Sequence, residues 1–70
     1  MSKMQAIEEI HEFAVNGQFR QAVNQIDEYG AYDFFADYRD YLSEYLAGYI
    51  DDPFKWFSNL TEAYMRIKNR

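Results

Sequence analysis

Residues 32–50 read YDFFADYRDYLSEYLAGYI and hold, within or beside them, six of the chain's seven tyrosines. At about 100° per residue, Phe34, Tyr38, Tyr41, Tyr45 and Tyr49 line up along one side of a helix, and Phe35, Leu42 and Leu46 widen that side into a broad apolar band. The pattern predicts an amphipathic helix, the longest of the chain. Asp33, Asp37, Asp40, Glu44 and Asp51 follow at spacings of four, three, four and seven, which stacks their carboxylates on a second face. An acidic stripe is therefore expected to run beside an aromatic one.

The chain of 70 residues supports a single helical domain, 1–70, and a chain this short leaves much of its surface in water even when well packed. With 49% hydrophobic and 20% aromatic residues it carries too many core-forming side chains for disorder, despite a net charge of −5. The absence of cysteine excludes disulfides and thiolate zinc sites. At the amino terminus, MSKMQAIEEI reaches its glutamates before any apolar run forms, unlike a secretory signal, and no run approaches the ~18 apolar residues of a membrane span. A soluble, cytoplasmic protein with no membrane contact is expected. Charge is uneven: −1 over residues 1–26, −7 over 27–52 and +3 over 53–70. The middle segment would attract a partner with a basic surface, and direct binding of nucleic acid is not expected.

Ser2 and Gln5 form a capping-box pattern that starts a first helix, with Met4, Ile7, Ile10, Phe13 and Ala14 on its buried side and Asn16-Gly17 at its end. A second helix is predicted from near Gln18 to about Tyr29, with Phe19, Ala22, Val23 and Ile26 inward and Gly30 closing it. The short connection makes these two an antiparallel hairpin. The run Asn16-Gly17-Gln18-Phe19 with Ala22 and Ile26 resembles the turn and second helix of a tetratricopeptide-type repeat, over about twenty residues. The resemblance implies close packing of two helices; the chain holds no second copy of the unit, and arrays of this kind need about three.

Asp33, or a residue just before it, is expected to cap the third helix. Gly48 fits two places: just past a helix ending at Ala47, with Tyr49 and Ile50 folding back over the end, or inside the helix where a neighbouring backbone comes close. Asp51-Asp52-Pro53 starts a fourth helix that runs to about Lys68, with Trp56, Phe57, Leu60, Ala63, Tyr64 and Ile67 inward and a Glu62–Arg66 pair outside. The fold class is thus all-α, a compact bundle or array of four short helices.

Chemistry finds little support. Glu8-x-x-His11 has the spacing of carboxylate-bridged di-iron bundles, but His11 is the only histidine and those sites need a second pair, so a helix-edge histidine is expected. The stretch from Asp33 to Glu44 lacks the glycine of a calcium loop. Three serines with one histidine, and three isolated glycines, make neither an activated nucleophile nor a phosphate cradle. No cofactor, metal or catalysis is expected. The expected role is a non-catalytic protein-protein interaction module that uses Tyr38, Tyr41, Tyr45 and Tyr49, flanked by Asp33, Asp37, Asp40 and Glu44, and that forms a homo-oligomer. The alternative is an acidic inhibitor, of the mobile-element type, that imitates nucleic acid on the surface of a DNA- or RNA-binding protein. Against it stands charge density: residues 33 to 51 span about 27 Å as helix, one carboxylate per ~5 to 7 Å, whereas duplex DNA presents one charge per ~1.7 Å.

Overall fold

A computed structural model describes residues 2–46, 48–49 and 51–69. It contains four helices, α1 (Lys3–Val15), α2 (Phe19–Tyr29), α3 (Ala31–Tyr45) and α4 (Pro53–Lys68), and among the described residues no strand. The all-α class and the four elements agree with the sequence pattern. α2 is the central element and packs against each of the other three, and α3 also packs against α4.

The helix ends follow from local chemistry. The Ser2 hydroxyl accepts from the Gln5 backbone N–H, and the Gln5 side chain accepts from the Ser2 N–H, each at 3.2 Å, so two otherwise orphaned donors are satisfied. α1 closes with a pair of bonds, Gln18 N–H to the Phe13 carbonyl and Gly17 N–H to the Ala14 carbonyl. That pairing requires a left-handed residue, and Gly17 provides it at φ +79°. At α4, Pro53 occupies the first turn, where its missing N–H costs nothing, and the Asp52 carboxylate accepts from the Lys55 N–H at 3.1 Å.

The α2–α3 junction departs from expectation. Gly30 alone joins the two helices: its N–H donates to the Ile26 carbonyl and its carbonyl accepts from the Phe34 N–H. Asp33 is therefore not the cap. It lies in the first turn of α3, where its charge complements the helix dipole. α3 also stops earlier than the tyrosine spacing implied. Leu46 leaves helical geometry at φ −119°, so Gly48 and Tyr49 lie beyond the helix end, and the helix-interior alternative for Gly48 is corrected. Tyr49 is 86% exposed rather than folded back as an apolar cap; Ala47 and Ile50 fall outside the described residues. At 15 residues α3 is one shorter than α4, so it is not the longest helix. The chain must turn here to start α4, and proline forces the residue before it into extended geometry, as Asp52 shows at φ −140°.

Ile7, Ile10 and Ala14 of α1, Ala22 and Ile26 of α2, Phe34, Tyr38 and Leu42 of α3, and Leu60 of α4 form one buried cluster. Phe34 is its aromatic centre, stacked on Tyr38 at 5.0 Å between ring centroids and edge-on to Tyr29 and Phe35. Tyr64 and Lys68 both donate to the Asp27 carboxylate, at 2.7 and 2.9 Å, tying the end of α4 to α2. The Lys68 bond, then the Tyr64 bond, hold the Asp27 carboxyl below its ordinary range. Within this exposed clamp the expected Glu62–Arg66 pair plays no part; Lys68–Asp27 is the ion pair found among the described residues.

The two turn glycines differ in what they would tolerate. Gly17 sits near the left-handed region that other residues reach at a cost of about 1 kcal/mol, and a Cβ there meets nothing within 4 Å. Gly30, at φ +104° and ψ +107°, lies outside that region. We expect Gly17→Ala to lower stability in urea unfolding by about 1 kcal/mol and Gly30→Ala by about 2 to 3 kcal/mol. Equal losses, or a larger one at Gly17, would contradict the assigned backbone.

Candidate protein-interaction surface

The tyrosine row does not form one face. Tyr38 has 0% of its surface exposed and belongs to the core, which corrects its place among partner-contacting residues. Its hydroxyl decides the matter. The oxygen accepts from the Trp56 indole N–H at 2.7 Å, and His11 Nδ1 lies 2.7 Å away on the other side. One arrangement of hydrogens satisfies all three groups: Trp56 donates to Tyr38, and Tyr38 donates to an unprotonated Nδ1, so the imidazole is neutral with its proton on Nε2. Burial pushes the Tyr38 phenol up to about 12. His11 is thus not merely a helix-edge residue; it joins α1 to α3 through the core.

From Tyr38 the row climbs to the surface. Tyr41 is half-buried, stacked on Tyr38 and 5.4 Å from the Tyr45 ring; Tyr45 is 52% exposed. Glu8, Glu12, His11 and Tyr41 border a shallow groove between α1 and α3. Among the described residues no set of three or more His, Asp or Glu side chains converges to hold a metal.

The acidic stripe is also divided. Asp33, Asp40 and Glu44 are exposed, whereas Asp37 is half-buried and accepts the Tyr29 hydroxyl at 2.6 Å. Burial, and next that bond to Asp37, push the Tyr29 phenol up to about 12. Asp51 lies in the turn before α4, off the helix that carries the others. Among the described residues Asp33, Asp40 and Glu44 have no hydrogen-bond or ion-pair partner, which leaves a sparser stripe than the sequence pattern implied.

A different surface is built where α3 meets α4. A groove of about 540 Å³ is lined by Tyr32, Phe35 and Arg39 on α3 and by Phe57, Tyr64 and Met65 on α4. Phe35 packs edge-on against both Phe57 and Tyr64, at 5.8 and 5.5 Å, and forms the floor. Tyr32 and Met65 stand at the walls, 89% and 57% exposed. No carboxylate lines the groove, although the chain carries twelve. The sequence contained a signal for it: Tyr32, Phe35 and Arg39 are spaced by three and four and define a second stripe on α3, on the flank away from the acids. Periodicity places Phe35 in the apolar band of α3 and Phe57 and Tyr64 on the inner face of α4, so the stripe does not stand out from the core pattern.

No family model, curated protein or solved structure matches the chain. No helix among the described residues is long and apolar enough to cross a membrane.

The His11 contact has a pH consequence. Burial lowers its pKa below the ordinary 6.5, with Glu12 opposing in part; Glu8, Glu9 and Tyr41 line the same groove, and the Tyr38 hydroxyl contacts the ring directly. The unfolded chain therefore takes up a proton first as pH falls through about 6.5, so stability is full above that value and is lost as pH falls toward the folded pKa. Protonation also places a hydrogen on Nδ1 and leaves the Tyr38 hydroxyl hydrogen without an acceptor. His11 is the only histidine. The urea midpoint should fall between about pH 7 and about pH 5.5, and His11→Gln should flatten that fall. Stability that rises on acidification, or an unchanged slope in the variant, would contradict the assignment.

Proposed function

We propose that the chain is a non-catalytic protein-interaction module whose docking surface is the aromatic groove between α3 and α4. One observation carries this: the groove leaves Tyr32 and Met65 largely in water beside an aromatic floor of Phe35, Phe57 and Tyr64. Contiguous exposed apolar surface of this kind is retained in small domains where something covers it. Tyrosine and methionine suit the task, the first with an apolar body and a polar tip, the second able to adapt to a partner's shape. Polar rims such as Arg39 set register and specificity more than affinity.

The alternative, a nucleic-acid-mimicking inhibitor, would use the acidic side of α3. It draws on three exposed carboxylates, Asp33, Asp40 and Glu44, since Asp37 is held by Tyr29. Duplex DNA presents one charge per ~1.7 Å, a density that three side chains on one helix do not approach.

A protein recovered by cross-linking to the tagged chain separates the two. Tyr32→Ala with Met65→Ala should weaken its binding by about tenfold or more, while reversal of Asp33, Asp40 and Glu44 to lysine should change it by less than about threefold. Circular dichroism should show both variants helical. Loss of binding on charge reversal alone, with competition by DNA or RNA, would overturn the proposal in favour of the mimic. Loss only on Tyr45→Ala with Tyr49→Ala would move the docking surface to the carboxyl-terminal end of α3 and the turn that follows it.

A further inference from the structure

The groove sits between two packed helices, and its walls are ridges of side chains spaced by three and four residues, the relief that the surface of another helix fills. From Tyr32 to Arg39, and from Phe57 to Met65, the lining covers about 11 to 12 Å of helix axis, or two turns. A strand could add only to a sheet edge, and the described residues contain no strand. Arg39 is exposed at the rim with no carboxylate within 4.0 Å among the described residues, and its i−3 and i−4 neighbours, Ala36 and Phe35, line the same groove.

Given the docking role proposed above, on which this inference rests, we infer that the occupant is an amphipathic helix of another protein. Its large apolar side chains, at i, i+3 or i+4, and i+7, enter the groove, and an aspartate or glutamate beside them meets Arg39. The planar guanidinium matches a carboxylate bidentately, and the groove has no acid of its own to compete. A second copy of the chain fits less well. In a two-fold contact it presents the same carboxylate-free face, which leaves both Arg39 side chains unpaired; a head-to-tail contact does not close and builds open-ended assemblies.

The test uses a phage-displayed library of about 14-residue helices, with apolar residues fixed at the anchor spacing and the flanking positions randomised. It is selected against the immobilised full chain at physiological salt. Aspartate or glutamate should be recovered over lysine or arginine at one flanking position by about threefold or more. This runs against the direction set by the net charge of −5, which by itself would favour basic helices. Selection against Arg39→Glu should invert the preference. Helices recovered without a charge preference, and lost on Met65→Asp, would overturn the acidic partner while leaving the groove as a docking surface. No enrichment over a folded Tyr32→Asp, Met65→Asp control would overturn both. A chain that sediments as a dimer, and as a monomer on Met65→Asp, would identify a second copy as the occupant and equally overturn the inference.

Discussion

A phenol in the centre of an apolar core must have hydrogen-bond partners, and the hydroxyl of Tyr38 finds both of its own on other helices. Leaving such a group unsatisfied costs about 1 to 3 kcal/mol, a large share of what a chain this size has to spare. Trp56 must therefore sit where its indole N–H reaches one side of the oxygen, and His11 where its ring reaches the other. Apolar packing alone tolerates sliding of one helix along another; two directional bonds at one atom do not. The node fixes how α1 and α4 are set against α3, while α2, running through the middle, packs against all three.

That constraint also decides what reaches the surface. Because Tyr38 and Phe34 turn inward, α3 is rotated so that its acidic residues and the stripe of Tyr32, Phe35 and Arg39 emerge on separate flanks. Fourteen aromatic residues are more than one small core can enclose. The excess emerges at the α3–α4 seam and, outside it, at Tyr45, Tyr49 and Phe54. α3 is thus a three-sided helix, one side in the core, one charged and one aromatic.

The sequence carried the element boundaries well where local chemistry sets them: the Ser2–Gln5 box, the Asn16-Gly17 turn, Gly30 and Asp52-Pro53 all act where their residue types imply. It carried the end of α3 poorly, because a tyrosine spacing that continues to Tyr49 cannot show that the chain has to turn before proline. The division of the aromatic row was also out of reach. Tyrosine is equally at home in a core or at its edge, and which applies to Tyr38 depends on Trp56 and His11, eighteen and twenty-seven residues away. Periodicity identifies the faces of a helix but not which of two apolar faces a neighbour covers, so Phe35, Phe57 and Tyr64 were readable as apolar and not as a groove.

Everything proposed about the surface depends on how the aromatic and methionine side chains divide between core and water. Hydroxyl-radical footprinting of the free chain, read residue by residue by mass spectrometry, measures that division. The account predicts strong modification of Tyr32, Tyr49 and Met65, intermediate modification of Tyr41, and protection of Phe34 and Tyr38 until the chain unfolds. Modification of Tyr38 in the folded chain, or protection of Tyr32 and Met65 at a concentration where the chain is monomeric, would contradict it.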